Sequence, residues 1–166
     1  MAKDKGKQFE EDIKNSFPDD FYIERYKDDT AGFYGVSNPA DYRLYKYPLT
    51  FLLELKSHKG KSLPLSNIRN GQLKGMRKAI PHRGVYCGFI INYRDLEETY
   101  YIAFSDLVRE FFTTDDKGDY VVKPDVRKSI PVDWCRDNGI KIEQVKKRTR
   151  YSYDMKTFLE RYYDLL

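Results

Sequence analysis

Apolar side chains along this chain follow two periods, one typical of strands and one typical of helices. Thr50–Lys56 alternates so that Leu53 and Leu55 share one face, which predicts a half-buried strand. Gly84–Ile91 is almost continuously apolar, a pattern typical of a central strand covered on both faces. Thr99–Phe104 predicts a neighbouring strand. These runs indicate a central β-sheet.

Helical spacing of apolar residues occurs between and around these strands. It predicts an N-terminal helix with Phe9, Ile13 and Phe17 on one face, and further helices over Asn70–Ile80, Ser105–Phe112 with Ser105 as N-cap, and Tyr153–Leu166 with Ser152 as cap. The last helix places Met155, Phe158, Leu159, Tyr162 and Leu166 on one face, which either closes the core or supplies a dimer contact. Asp115–Gly118 predicts a turn. We therefore expect one mixed α/β domain over residues 1–166, a central mixed sheet flanked by helices, with a short basic arm over residues 1–5.

The strand Thr50–Lys56 also carries the candidate chemistry. Alternation places Glu54 and Lys56 on the same face, opposite the leucines. Tyr42–Lys46 predicts a preceding strand, and Tyr47-Pro48 predicts the turn between the two. Such a hairpin returns Asp41 to the side of Glu54.

Two carboxylates and a lysine at this spacing suit metal-dependent phosphodiester cleavage. Mg²⁺ prefers oxygen ligands and is usually held by one or two carboxylates plus substrate phosphate, so Asp41 and Glu54 are candidate ligands. A bound metal lowers the pKa of its water, and Lys56 is placed to orient that water or to stabilise developing negative charge. The competing interpretation is an exposed strand face carrying an ordinary ion pair, since 34% of the residues are charged.

Several stretches resemble the RecU-type Holliday junction resolvases, within the PD-(D/E)xK nuclease superfamily. The resemblance is carried by Gly6–Ile13, Asp41-Tyr42, Glu54-Leu55-Lys56, and Ser62–Asn67 followed by Gln72. It implies a restriction-endonuclease-like core and a Mg²⁺-dependent endonuclease, with Mn²⁺ as an alternative metal. This chain departs from the family in its short stretch over residues 27–38, where the members carry an extended stalk; we interpret it as a DNA-contacting loop.

The resemblance also implies a role for each matching residue. Asp41 and Glu54 become metal ligands, Lys56 the catalytic lysine, and Glu10 a residue that reaches the metal directly or through water. Gln72 matches the glutamine that opens the helix after the catalytic strands. Two alternatives stay open. Glu10 is favoured in the first turn of a helix by the helix dipole alone, and Gln72 is also suited simply to solvating a helix start.

Charge and aromatic residues indicate where DNA would bind. The net charge of +4 is modest, so contacts with a polyanion must come from local clusters. The candidates are Lys3, Lys5, Lys7, His58, Lys59, Lys61, Lys146, Lys147, Arg148 and Arg150, together with Phe33 and Tyr34 for stacking on bases. The alternatives are solvated loops for the basic clusters and an internally packed pair for the two aromatics.

The sequence thus predicts a homodimeric, Mg²⁺-dependent endonuclease that resolves branched DNA by paired nicks in recombination or phage DNA processing. A restriction- or repair-type endonuclease acting on duplex DNA is one alternative, and a non-cutting DNA-binding accessory protein is another. Cys87 and Cys135 show no zinc-site spacing and are expected as free thiols. With no apolar run of membrane length and no signal-peptide pattern, we expect a soluble protein in the cytoplasm of a bacterium or a phage-infected bacterium.

Overall fold

The fold is built around a mixed sheet of six strands. The structure, a computed structural model, describes residues 4–26 and 38–163. The helices are α1 (Lys5–Lys14), α2 (Asn70–Ala79), α3 (Phe104–Phe111), α4 (Val132–Asn138) and α5 (Met155–Tyr163). The strands are β1 (Tyr22–Arg25), β2 (Tyr42–Lys46), β3 (Leu49–His58), β4 (Ser62–Pro64), β5 (Val85–Tyr93), β6 (Glu98–Ala103), β7 (Phe112–Thr114), β8 (Tyr120–Val122), β9 (Ser129–Pro131), β10 (Ile140–Lys141), β11 (Gln144–Lys147) and β12 (Arg150–Tyr153).

The strand order in the main sheet is β1-β2-β3-β5-β6-β10, with β3 and β5 parallel and the other neighbours antiparallel. A parallel pair needs a crossover connection, and α2 lies in the connection between β3 and β5. The predicted central strand, its antiparallel neighbour and the hairpin of β2 and β3 are all present. The predicted mixed sheet flanked by helices, the architecture expected of a restriction-endonuclease-like core, is therefore confirmed.

Apolar residues cover both faces of this sheet. Leu53, Leu55 and Ile90 pack with α1 and α5, whereas Leu52 and Phe89 pack with α2 and α3. Because consecutive strand residues point to opposite faces, these two clusters lie on opposite sides of the sheet. Glu54 and Lys56 share the face of Leu52, the one that α2 covers.

The C-terminal helix closes the core. Met155, Phe158 and Leu159 are at most 1% exposed and Tyr162 is 8% exposed, so the described part of this face is buried within the chain and is not available as a dimer contact. Leu166, the last residue of the predicted face, lies outside the described residues.

Two predicted helix caps are wrong. Helix α3 begins at Phe104, before Ser105, and its N-cap position is Ala103. At the start of α5, Asp154 accepts a hydrogen bond from the Thr157 amide at 3.0 Å, a contact typical of a capping carboxylate. Both errors are small shifts in where a helix begins; no side chain caps α3, whereas the Asp154 carboxylate reaches an amide of α5. Within the described residues, the helices are too short or too polar to cross a membrane.

Candidate active site

Strand pairing brings the two candidate carboxylates together. In the hairpin of β2 and β3, the paired register ends with Tyr42 opposite Leu53. The Asp41 amide also donates to the Leu53 carbonyl at 3.1 Å, so Asp41 lies directly beside the end of this pairing. Each of the two carboxyl groups shifts the pKa of the other, which places Asp41 close to Glu54. The short turn predicted at Tyr47-Pro48 therefore does return Asp41 to the side of Glu54.

Glu54 is buried and accepts two hydrogen bonds through one oxygen. Its Oε1 atom lies 2.6 Å from Lys56 Nζ and 2.5 Å from Gln72 Nε2. The side chains of Glu54 and Lys56 are only 4% and 15% exposed, so this ion pair does not belong to an exposed strand face. Glu54 thus anchors a lysine from its own strand and an amide from α2.

Gln72 has two structural tasks. Its Oε1 atom accepts from the Arg69 amide at 3.0 Å, which caps α2, while its Nε2 atom donates to Glu54. The side chain is buried, so it does not merely solvate a helix start. Cap and donor together fix the orientation of the Glu54 carboxylate.

Asp41 is held by the backbone on both sides of it. Its Oδ2 atom accepts from the Leu55 amide at 2.7 Å, and the Tyr26 amide donates to its carbonyl oxygen at 2.9 Å. Pro39, two residues earlier, packs directly against Gly75 of α2: a Cβ atom built on Gly75 would lie 2.7 Å from the Pro39 Cβ atom. Helix α2 therefore contacts Glu54 through Gln72, and through Gly75 it contacts Pro39 in the segment that leads into Asp41.

The two carboxyl groups titrate above their ordinary range. Burial raises the pKa of Glu54 to about 7, against the lowering effect of Lys56, and the neighbouring charge of Asp41 adds to the rise. Burial also raises the pKa of Asp41, opposed by the Leu55 amide and by the charges of Lys56 and Arg25. Both rises have the same main cause, which is that burial removes water from the two carboxyl groups, and Lys56 opposes the rise in each.

This donor set fits a hard divalent cation. Carboxylate oxygens are the ligands that Mg²⁺ prefers, and a cation between Asp41 and Glu54 would offset the burial and repulsion that raise both pKa values. Across residues 4–26 and 38–163, no cluster of three or more histidine, cysteine or acidic side chains is arranged to hold a metal. Two protein carboxylates with substrate phosphate and water remain a complete set for Mg²⁺.

Among the described residues, Glu10 does not form a metal-binding cluster with Asp41 and Glu54. The prediction that it lies in the first turn of α1 is wrong, because α1 begins at Lys5 and is capped by Asp4. Glu10 Oε2 instead accepts from Arg25 Nη2 at 3.1 Å. Its role as a metal ligand stays a prediction.

Arg25 is a residue at this site that sequence reasoning missed. It ends β1, lies opposite Tyr42, ion-pairs with Glu10 and lowers the pKa of Asp41 through its charge. No motif marks it, since a single arginine at the end of a polar strand is ordinary. Only the pairing of β1 with β2 brings its charge near Asp41.

The predicted DNA-contacting residues are spread over several elements. Lys5 and Lys7 lie on α1; His58 ends β3, with Lys59 and Lys61 in the exposed loop after it; Lys146 and Lys147 lie on β11, and Arg148 lies in the turn of that hairpin. Arg150 has its guanidinium ion-paired with Asp12 and Glu11, so its charge is already neutralised by α1. Lys3, Phe33 and Tyr34 lie outside the described residues. DNA contact by these side chains stays a prediction.

Comparison with known proteins places the chain in a family. The model of the family described as Recombination protein U matches residues 30–154, which include Asp41, Glu54, Lys56 and Gln72. The chain belongs to the Recombination protein U family. The resemblance inferred from the motifs is thereby confirmed, although the stretch Gly6–Ile13 lies outside the matched segment.

Individual relatives of this Recombination protein U family member differ in how much they share with it. The SPbeta prophage-derived uncharacterized protein YotM of Bacillus subtilis (strain 168) is 30% identical over 162 residues, which cover 92% of this chain and 83% of YotM. The Holliday junction resolvase RecU of Streptococcus oralis is 30% identical over 82 residues, 49% of this chain and only 36% of that resolvase. Among solved structures, Archaeoglobus fulgidus Hjc, a Holliday junction resolvase, aligns with a TM-score of 0.44 and 13% identity, covering 76% of this chain and 96% of Hjc.

Proposed function

We propose that this protein is a Mg²⁺-dependent endonuclease that resolves Holliday junctions or related branched DNA by paired nicks. Membership in the Recombination protein U family supports the class of substrate, and the S. oralis relative carries the name of a Holliday junction resolvase. The single observation that carries the chemistry is the placement of Asp41 close to Glu54, with Lys56 Nζ 2.6 Å from Glu54 Oε1.

In this proposal Asp41 and Glu54 hold the cation and Lys56 acts on the reacting groups. Bound Mg²⁺ supplies a polarised phosphate and a water of lowered pKa. The ammonium group of Lys56 has three N–H donors and donates one hydrogen bond to Glu54. The other two remain to orient the attacking water and to stabilise charge on the phosphate oxygens. Water attacks the phosphorus and gives up a proton to solvent, the bond from phosphorus to the leaving sugar oxygen breaks, and that oxygen takes up a proton from solvent. No covalent enzyme intermediate forms. Gln72 keeps the Glu54 carboxylate in place throughout.

Paired nicks require two active sites acting on one junction. A four-way junction has two-fold symmetry, so a homodimer with two symmetric sites is the simplest assembly that matches it. A prophage-derived relative supports a setting in phage DNA processing or in recombination. We place this activity in the cytoplasm of a bacterium, where such DNA is found.

The test is cleavage of a labelled synthetic four-way junction beside a linear duplex of matched sequence, with Mg²⁺, with Mn²⁺ and with EDTA. We expect symmetric, metal-dependent nicks confined to the junction, lost in Asp41→Ala and in the isosteric Asp41→Asn. Asp116→Asn, on the exposed turn between β7 and β8, is the matched control and should cut normally. Equal cutting of duplex and junction would replace this proposal with a general endonuclease. Junction binding without any cutting would replace it with a DNA-binding accessory protein.

A further inference from the structure

A cleft of about 350 Å³ lies beside the end of the proposed catalytic strand, on the face of the sheet that α1 covers. Ser57, directly after Lys56, lies on one wall, while α1 and the hairpin of β11 and β12 form the other. Its lining does not include Asp41, Glu54 or Lys56, so the cleft is separate from the carboxylate site but continuous with the same strand. This volume is in the range of sites that hold a small polar ligand or one unit of a polymer.

A chain of hydrogen-bonded polar side chains lines the depth of this cleft. Ser57 Oγ donates to Asn92 Oδ1 at 3.2 Å, and Asn92 Nδ2 donates to Thr99 Oγ1 at 2.9 Å. Thr99 Oγ1 in turn donates to Gln144 Oε1 at 2.7 Å. Asn92 and Thr99 are buried, so the chain fixes Ser57 and Gln144 on opposite walls. Gln144 accepts through its oxygen, which leaves its amide group, a donor only, for a ligand in the cleft.

Arg94 supplies the main positive charge at the cleft. Its Nη1 atom contacts Ser57 Oγ at 3.3 Å and the Ser57 carbonyl at 3.5 Å, which holds the half-buried guanidinium against the end of β3. Within the described part of the chain, no carboxylate lies within ion-pair distance of Arg94, and its remaining N–H donors have no acceptor. A guanidinium with two or more unused donors is suited to bidentate binding of a phosphate.

The other charges around the cleft favour an anion as well. Lys5 and Lys146 line it; Lys146 ion-pairs with Glu97 at 3.7 Å and lies over the ring of Tyr151. Of the two acidic residues that line it, Asp12 is neutralised by Arg150, and Asp95 is exposed to solvent. Leaving out the ion-paired Lys146 and Asp12, two basic side chains, Lys5 and Arg94, face one solvated carboxylate, Asp95.

We infer that this cleft is a backbone-phosphate subsite. In it, Arg94 binds a phosphodiester of the DNA strand that flanks the phosphodiester being cut. The inference rests on the proposed function, because it takes DNA as the substrate. Arg94 is joined through Ser57 to the strand that carries Glu54 and Lys56, so a phosphate bound there fixes the register of the DNA relative to the carboxylates. Gln144 and Lys146 complete the contact from the opposite wall.

The test measures binding of a fluorescent four-way junction by anisotropy, in EDTA so that no cleavage occurs, at salt concentrations from 50 to 200 mM. Losing one phosphate contact should lower the slope of log affinity against log salt by about 0.9, so Arg94→Gln should bind about tenfold more weakly with a shallower slope. Arg94→Lys keeps the charge and should keep most of the slope. Arg127→Gln is the matched control, because Arg127 lines a different groove beside Asp125 and Asp133. Thermal melts verify that each variant is folded.

An unchanged slope in Arg94→Gln would overturn the inference, as would an equal loss in Arg127→Gln, which would indicate a general charge effect. If Arg94→Gln fails to fold, the salt slope of Arg94→Lys tests the inference instead. Because lysine keeps the charge, a drop in that slope of about 0.9 would rule out a charge-based phosphate site. Failure of the proposed function is distinguishable. If Arg94→Gln lowers the slope but the wild-type protein does not cut with Mg²⁺, the subsite is supported and the nuclease proposal is excluded. If the wild-type protein cuts but Arg94→Gln leaves the slope unchanged, the nuclease proposal is supported and the subsite is excluded.

Discussion

Replacing Gly75 by alanine tests whether α2 positions Asp41 through Pro39. The added Cβ atom would lie 2.7 Å from Pro39 Cβ and 2.9 Å from Pro39 Cα, whereas ordinary contact begins at 3.4 Å. Relief requires Pro39 and α2 to separate by the difference of about 0.7 Å. Pro39 lies two residues before Asp41, so we expect the carboxylate to move with it.

The magnitude follows from two opposing effects on stability and one on activity. Alanine favours the helix by about 1 kcal/mol over glycine, and overpacking costs roughly 1 to 3 kcal/mol, so the net loss of stability should stay below about 2 kcal/mol. A misplacement near 1 Å at a catalytic group can cost about 100-fold in rate, so we expect cleavage by Gly75→Ala to fall by about 10- to 100-fold.

The assay is single-turnover cleavage of the labelled junction, with Mg²⁺ affinity from calorimetry as a readout that does not depend on activity. Lys78→Ala is the control, because it places alanine on the exposed face of the same helix and should leave both quantities unchanged. A folded Gly75→Ala protein with wild-type cleavage and wild-type Mg²⁺ affinity would refute the reasoning. It would mean that the contact with Pro39 relaxes without moving Asp41.

Three further predictions concern the groups around Glu54. Lys56→Ala should lower the cleavage rate at least about 100-fold while calorimetry still detects Mg²⁺ binding, because the lysine acts on water and phosphate and the carboxylates hold the metal; loss of Mg²⁺ binding would contradict that division. Gln72→Glu keeps an acceptor for the Arg69 amide but replaces the donor to Glu54 by a buried carboxyl group, so both the cleavage rate, by about tenfold or more, and the melting temperature should fall. An unchanged rate would show that this donor is dispensable. Burial raises the pKa of Glu54 from 4.5 to about 7, so the metal-free protein loses stability as the pH rises across that interval. Because Mg²⁺ binds the ionised carboxylates, it should raise the melting temperature more at pH 8 than at pH 6. Melting curves with and without Mg²⁺ at the two pH values check this, and an equal shift at both would exclude a proton that competes with the metal.

The sequence by itself determined the central strands, four of the helices and the core of the candidate site. Alternation along β3 is a local property, so it was enough to place Glu54 and Lys56 on one face and the leucines on the other. The turn between β2 and β3 is short, so the return of Asp41 to the side of Glu54 also followed from neighbouring residues. The apolar face of α5 was predicted for the same reason, because helical spacing is read within one segment.

Tertiary structure alone decided how residues far apart in the chain meet. The bond from Gln72 to Glu54 and the contact of Gly75 with Pro39 depend on how α2 packs across the sheet, which no local pattern encodes. The charge of Arg150 was predicted for DNA but is neutralised by α1. In each case local periodicity fixes which face a side chain occupies. Its partner is chosen only when segments from distant parts of the sequence pack against one another and exclude water.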